Sequence, residues 1–280
     1  MHTPCEHSFD LSGNVKPINE RCGSVRRVDT CLSAPVRASV PCKSCDLQAC
    51  RLRDFGLLKR AYSLRGLERG DTLETHSRNC LRFWIVKQGT GATCRMFSDG
   101  RRQIVSLETT GDVVCASMAD NDNEHWFEAL SECKICEVNL TPWSGELRQN
   151  ADFLHAIFEV MHKRLERSVN HVSTLGRLDS HERVIYFLAE LALRLGARDD
   201  GKIVALPMSR EDIADYLGLN SDSISRILTR LRRSGLVRFL SRTEYVVLDW
   251  SAIAQRLPIS LPETFPNAMC FPSQDEEISR

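Results

Sequence analysis

The sequence predicts an α+β protein in which an antiparallel β-roll, a long helix and a winged helix-turn-helix follow one another. Glycine-separated β-like segments lie within residues 41–150, helical periodicity runs unbroken over 151–178, and capped helices with a hairpin lie within 179–257. Residues 1–40 and 258–280 show no sustained period, so we expect flexible tails there.

Composition places the chain among soluble globular proteins. It has 280 residues, 42% hydrophobic and 26% charged, which is enough for two small domains with their own cores. No apolar run reaches the roughly 18 residues of a membrane span, and the N-terminus lacks the basic and apolar regions of a secretion signal. We therefore expect a cytoplasmic protein that is not membrane-bound.

The β-roll is predicted from short segments separated by turn residues. Gly89, Asp99–Gly100 and Gly111–Asp112 lie between segments rich in β-branched and aromatic residues. Strands about 8 to 12 residues apart with such turns are typical of antiparallel barrels and rolls. The predicted strands cover residues 81–86, 93–97, 103–107, 127–130 and 134–138.

The segment 151–178 predicts one amphipathic helix of about seven turns, since apolar residues recur three and four apart. A stripe this long needs a cover. A twin helix from a second subunit would cover it, which predicts a homodimer; the alternative is that it packs on the chain's own β-roll. The residues expected at the dimer interface are Leu154, Ile157, Met161, Leu165, Val169 and Val172.

A helix over 180–195 precedes a pattern typical of a helix-turn-helix. Ser209 is suited to cap the first helix of the pair, with two acidic residues in its first turn. Gly218 supplies the left-handed residue that a chain needs between two helices. Asn220 or Ser221 then caps the second helix.

The second helix of the pair carries a predicted DNA-reading surface. Asp222, Ser225 and Arg226 lie at i, i+3 and i+4, so one face offers an acceptor, a hydroxyl and a bidentate donor to base edges in the major groove. Six arginines against one acid between 221 and 242 form a cationic patch, and 237–248 predicts a hairpin wing. An arginine run alone could also be a solvated helix face. The residues expected on DNA phosphates are Ser209, Ser223, Arg230, Arg232 and Arg233.

These residues resemble a known family. The stretch REDIADYLGL at 210–219, followed by Ser223–Arg226, resembles the DNA-binding domain of the CRP/FNR superfamily of bacterial regulators. The FNR branch reads its half-site with ExxSR, and here Asp222 replaces the glutamate. The resemblance covers about residues 42–257 and implies a cupin-like, cyclic-nucleotide-binding-like β-roll. It also implies an oxygen-responsive, FNR/FixK-like transcriptional activator that binds a TTGAT-like palindrome in double-stranded DNA as a homodimer and acts with RNA polymerase.

Twelve cysteines are many for a chain expected in a reducing compartment, where a disulfide framework is disfavoured. Cys42, Cys45 and Cys50 lie within nine residues, and soft thiolates in such a cluster select iron–sulfur or zinc. Three ligands leave one position open. The resemblance implies an iron–sulfur cluster of the 4Fe-4S type, completed by a cysteine late in the roll. Cys136 matches that position, with Cys133 its rival.

Other interpretations of these cysteines stay open. Cys42, Cys45 and Cys50 could hold structural zinc or be inert. Cys136 could be a buried residue that acts as a small apolar side chain. A second functional interpretation is a FixK-type regulator without a cluster, controlled by its expression level or by cysteine oxidation.

Two further classes of function are not expected. The resemblance implies that a cyclic AMP pocket needs an arginine–serine pair after the Gly–Glu of the roll, and residues 111–126 contain no arginine. We also expect no enzyme, because the sequence has no nucleotide-binding glycine loop, nucleophile elbow or HExxH motif. His155, His162 and His171 on the long helix are expected to be exposed.

Overall fold

A computed structural model describes residues 62–74, 82–115, 125–139 and 149–261, together with the backbone of Arg27–Val28. A two-sheet β-roll is followed by a long helix and a mixed C-terminal unit, which confirms the predicted fold class. The strands of the roll are β1 (Arg27–Val28), β2 (Tyr62–Leu67), β3 (Thr72–Glu74), β4 (Arg82–Gln88), β5 (Gly91–Met96), β6 (Arg102–Glu108), β7 (Val113–Cys115), β8 (His125–Ala129) and β9 (Cys133–Asn139). The remaining elements are α1 (Ala151–Arg177), α2 (Ser180–Arg194), β10 (Ile203–Ala205), α3 (Arg210–Leu217), α4 (Ser221–Arg233), β11 (Val237–Phe239), β12 (Glu244–Val247) and α5 (Trp250–Arg256).

The roll consists of two sheets with the strand orders β1-β3-β8-β5-β6 and β2-β9-β4-β7. Among these described strands, the β1–β3 pair is parallel and the others are antiparallel. Trp84, Phe127 and Ile135 lie in the apolar interior between the sheets. Gly91 permits a close approach there, because a Cβ at this position would lie 2.1 Å from Cζ of Phe127.

The five predicted strands are present as β4, β5, β6, β8 and β9. Strands β3 and β7 were not predicted because three residues are too few to show an alternating pattern, and Gly66 interrupts the pattern of β2. Of the expected tail 1–40, the structure describes only the strand β1. The cluster Cys42, Cys45 and Cys50 lies outside the described residues.

The long helix α1 forms as its period predicts. Asn150 caps it by accepting a hydrogen bond from the amide of Phe153 at 2.9 Å, and the helix ends at Arg177. Phe153, Ala156 and Val160 are buried on one face. No helix within the described residues is both long and apolar enough to cross a membrane.

The C-terminal unit packs its helices against a small sheet of order β10-β12-β11. Asp179 caps α2 in a capping box with Glu182, and the wing strands β11 and β12 form the predicted hairpin. Strand β10 was not predicted. The core of this unit continues into the roll, because Cys94 and Ile104 belong to the same buried cluster as Ile213 on α3. The roll and the helix-turn-helix therefore share one core.

Candidate nucleic-acid interface

The helix-turn-helix forms around the predicted capping residues. The Ser209 hydroxyl accepts from the amide of Asp212 at 3.0 Å, and the Asp212 carboxylate accepts from the amide of Ser209 at 2.8 Å. Gly218 has the left-handed φ of 63° that the sharp turn requires. Asn220 caps α4 by accepting from the amide of Ser223 at 2.7 Å, so of the two predicted caps Asn220 is the one used.

Helix α4 separates an apolar face from a polar one. Its buried stripe is Ile224, Ile227, Leu228 and Leu231. Asp222, Ser225 and Arg226 are exposed on the opposite face, in the first half of the helix. The structure thus brings the three predicted base-reading residues together on one accessible surface of the kind that enters a major groove.

The predicted phosphate contacts divide into two groups. Arg230, Arg232 and Arg233 are exposed near the end of α4. The two serines are already partly engaged: the hydroxyl of Ser209 accepts a capping bond and the amide of Ser223 donates one. Because a hydroxyl both donates and accepts, Ser209 keeps its proton for a phosphate oxygen.

The structure adds a cationic contact that the sequence analysis missed. The guanidinium carbons of Arg210 and Arg232 lie 5.9 Å and 6.0 Å from the ring centre of Phe239 in the wing. Burial and the neighbouring charge of Arg232 lower the pKa of Arg210. A phosphate would relieve the repulsion between these two like charges. The position of Arg210 directly after the helix cap was the available signal.

Comparison with known proteins agrees with this geometry. Residues 182–256 match the model of the Crp-like helix-turn-helix domain. The chain is 31% identical over 214 residues to the nitrogen fixation regulation protein FixK of Bradyrhizobium diazoefficiens, covering 75% of this chain and 86% of that protein. The transcriptional activator protein FnrL of Cereibacter sphaeroides is 23% identical over 246 residues, covering 86% and 93% respectively.

The chain belongs to the FixK branch of the CRP/FNR family. Its fold agrees, since the solved structure of FixK2 from Bradyrhizobium japonicum superposes with a TM-score of 0.62 at 23% identity, covering 71% of this chain and 98% of that one. The protein is therefore a DNA-binding transcriptional regulator of the CRP/FNR type.

The long helix of this FixK-branch regulator has two apolar faces. One, which carries Phe153, Ala156 and Val160, is buried within the chain. The other carries Leu154, Leu165, Val169 and Val172, four of the six predicted interface residues, which are 48 to 68% exposed. Phe158, 71% exposed, lies on the same face. Ile157 and Met161 are half-buried, and Sδ of Met161 lies 3.8 Å from Sγ of Cys115 on β7.

The histidines of α1 only partly meet expectation. His155 and His162 are exposed, each near a glutamate four residues further on, at 3.4 Å and 3.3 Å. The prediction of an exposed His171 is wrong. Its ring stacks on Tyr216 of α3 with centroids 4.2 Å apart, because α3 packs against the second half of α1.

The two candidate fourth ligands lie on different faces of β9. Cys133 is fully buried with Ile135 inside the roll, and its thiol donates to the carbonyl of Thr90 at 3.3 Å. Burial raises the pKa of the Cys133 thiol, which disfavours the thiolate that metals bind. Side chains alternate along a strand, so Cys136 lies on the outer face, where it is half-buried between its neighbours Leu64 and Ile85.

Proposed function

We propose that the protein binds a TTGAT-like palindrome as a homodimer and reads each half-site with Asp222, Ser225 and Arg226. The observation that carries this proposal is the exposed face of α4, where these residues lie together opposite a fully buried stripe. Arginine pairs with O6 and N7 of guanine, and a carboxylate accepts from N4 of cytosine. Both contacts need accessible side chains near the start of the helix.

The dimer is supported by the outer stripe of α1. Apolar side chains that are half to two-thirds exposed recur at helical spacing along more than four turns, from Leu154 to Val172. Such a surface is unfavourable in water and well suited to a second copy of the same helix. A dimer would place two recognition helices about one turn of DNA apart, which a palindrome requires.

The test compares three duplexes that carry the palindrome, one half-site, or a scrambled sequence. Fluorescence anisotropy should show the tightest binding to the palindrome, with two chains per duplex. Equal affinity for palindrome and scrambled DNA would contradict the proposed recognition, and one chain per palindrome would contradict the dimer. RNA polymerase is the partner that an activator needs, so run-off transcription from a promoter with this palindrome should rise on adding the protein.

We further propose an iron–sulfur cluster held by Cys42, Cys45, Cys50 and Cys136 as the oxygen or redox sensor. Of the four, the structure describes Cys136, and its half-buried place on the outer face suits a ligand better than the interior place of Cys133. Oxygen attacks such clusters, and losing one changes local charge and the anchoring of a loop, which is enough to bias a marginal dimer.

Anaerobic purification tests the cluster. The wild type should be brown with stoichiometric iron and sulfide, whereas Cys136→Ala and Cys45→Ala should lose most of the iron and Cys133→Ala should keep it. Full iron in both Cys136→Ala and Cys45→Ala would reject this ligand set. A colourless, iron-free wild type would reject the cluster and leave the FixK-type alternative, control by expression level or by cysteine oxidation.

A further inference from the structure

Arg102 on strand β6 joins the roll to the helix-turn-helix. Its Nη1 lies 3.0 Å from Oε2 of Glu128 in the roll. Its Nε lies 2.8 Å from Oδ2 of Asp215 on α3, and its Nη2 pairs with Oδ1 of Asp212 on the same helix. The side chain of Arg102 is only 22% exposed. One guanidinium therefore binds three carboxylates, two of which belong to the DNA-binding unit.

The residues around Arg102 hold the same two parts together. Gln103, its neighbour on β6, donates from Nε2 to the backbone carbonyl of Asp215. Beneath the polar contacts, Cys94 and Ile104 from the outer face of the roll are fully buried in one cluster with the core residues of α3. Helix α3 thus packs on the roll through a buried apolar contact, and the ion pairs of Arg102 lie above that contact.

In the contact that Arg102 and Gln103 make with α3, which forms a seam between the roll and the helix-turn-helix, the charge of Arg102 is the most important feature. Without its guanidinium, Glu128 on the roll would face Asp212 and Asp215 on α3, and three carboxylates at close range repel. Burial by itself would raise the pKa of Asp212, but the amide and hydroxyl of Ser209 and the guanidinium of Arg102 hold it below its ordinary value, so this group stays charged. Loss of Arg102 turns an attractive contact into a repulsive one.

The packing of α3 on the roll leaves the DNA-reading face of α4 open. Asp222, Ser225 and Arg226 are exposed while α3 is held on β6. The packing of α3 on the roll therefore fixes the direction of α4 without covering its DNA-reading face. A palindrome demands that two recognition helices keep a set distance and orientation, whereas a single half-site makes no such demand.

We propose that Arg102 is a positioning residue for operator binding, which holds the helix-turn-helix on the roll so that both halves of a dimer meet a palindrome together. The inference rests on the proposed dimeric recognition of a palindrome. It assigns to a residue of the sensor roll, about 110 positions before the helix-turn-helix, a direct part in operator affinity.

The test uses the full chain with Arg102→Gln, and Arg101→Gln as the matched control. Arg101 is the adjacent residue, is 82% exposed, and pairs with Asp99 within its own turn. Arg102→Gln should weaken binding to the palindrome at least about fivefold, the lower end of couplings between sites. Binding to a single half-site should stay unchanged, as should both affinities of Arg101→Gln.

A second variant separates positioning from damage to the fold. Adding Glu128→Gln to Arg102→Gln removes the charge on the roll side, relieves the repulsion across the seam, and should restore part of the palindrome affinity. Glu128 belongs to the roll rather than to the DNA-binding surface, so a direct effect on DNA would not explain such a rescue. Unchanged or tighter palindrome binding by Arg102→Gln, equal loss on the half-site, or no rescue would each overturn the inference.

Hydrogen exchange tests the seam without DNA. Arg102→Gln should speed amide exchange in β6 and α3 together and leave β4, inside the roll, unchanged. Unchanged exchange in β6 and α3 would overturn the inference whatever the DNA result. A wild type without preference for the palindrome would count against the proposed function, and the exchange result would still decide the seam.

Discussion

Arg194 on α2 and Asp112 in the turn before β7 form a buried ion pair, with Nη2 of the arginine 2.5 Å from Oδ2 of the aspartate. Arg167 on α1 lies 2.5 Å from the other carboxylate oxygen of Asp112. Nη2 of Arg194 also donates to the carbonyl of Leu107 at 2.7 Å. A single side chain of the roll is therefore bound by the long helix and by the first helix of the DNA-binding unit.

A second ion pair, with a buried carboxylate and a partly buried guanidinium, lies next to the first. Nη1 of Arg164 on α1 lies 3.2 Å from Oε1 of Glu108, which is fully buried. Burial by itself would raise the pKa of Asp112, but the guanidiniums of Arg194 and Arg167 hold it below its ordinary value. The turn between β6 and β7 is thus a place where the roll, α1 and α2 meet.

Asp112→Asn should destabilise the protein by about 3–5 kcal/mol, because it leaves the buried Arg194 and the partly buried Arg167 without their shared anion. Urea unfolding followed by circular dichroism at one fixed protein concentration measures the change. Asp99→Asn is the matched control, since Asp99 pairs with Arg101 in an exposed turn, and it should change little. An equal loss of stability in the two variants would show that the buried carboxylate of Asp112 contributes no more than the exposed carboxylate of Asp99.

His171 should make the stability of the protein fall as the pH drops from about 6.5 to about 4. Burial lowers the pKa of His171 from 6.5 to about 4 in the folded state, so within this window the unfolded chain binds the proton and the folded chain does not. The slope from this residue approaches about 1.4 kcal/mol per pH unit.

His171→Phe keeps an aromatic ring against Tyr216 and removes the titration, so urea unfolding at several pH values should give a flatter profile. His155→Phe, an equivalent change at an exposed position of the same helix, should keep the slope of the wild type. Identical slopes for His171→Phe and the wild type would show that other groups carry this dependence.

Phe158→Asp should prevent dimerisation, because it puts a charge on the exposed apolar stripe of α1 at its most exposed residue. Sedimentation velocity should show a dimer for the wild type and a monomer for this variant. Asn170→Asp introduces the same charge at an exposed position off the stripe and should remain dimeric. If Phe158→Asp is still a dimer, the dimer interface does not lie on this stripe of α1.

Arg226→Ala and Arg233→Ala should differ in kind. The first should cost about 1–3 kcal/mol on the palindrome and relax specificity at one base pair, because Arg226 is expected to read a base. The second should weaken all duplexes alike and lower the salt dependence of binding by about one ion. Anisotropy titrations at several salt concentrations measure both, and the same loss on scrambled DNA for Arg226→Ala would assign it to phosphate.

Asp222→Glu restores the acid that the FNR branch carries and lengthens the side chain by one methylene. It should bind TTGAT at least as tightly as the wild type does, whereas Asp222→Ala should tolerate several bases at the position that this acid reads. Binding of a panel of half-site variants distinguishes the two. Identical base preferences for Asp222→Ala and the wild type would show that Asp222 does not read a base.

Local pattern was enough to predict the helices, their caps and the face of α4 that is offered to DNA. Gly218 and Ser209 could be placed from sequence because a left-handed turn and a helix cap each depend on residues within one helical turn. The strands of the roll were predicted where five or more residues alternate, and not where only three do.

The sequence by itself determined that this chain is a β-roll, a long helix and a winged helix-turn-helix, with Asp222, Ser225 and Arg226 on one surface. Only the tertiary structure decided that Arg194 binds Asp112, 82 positions away, that Arg102 binds Asp215, 113 positions away, and that Cys133 lies inside the roll while Cys136 does not. The physical reason is that hydrophobic period and capping act over a few residues. The partner of a buried charge is set by how the folded elements pack, and no local pattern carries that information.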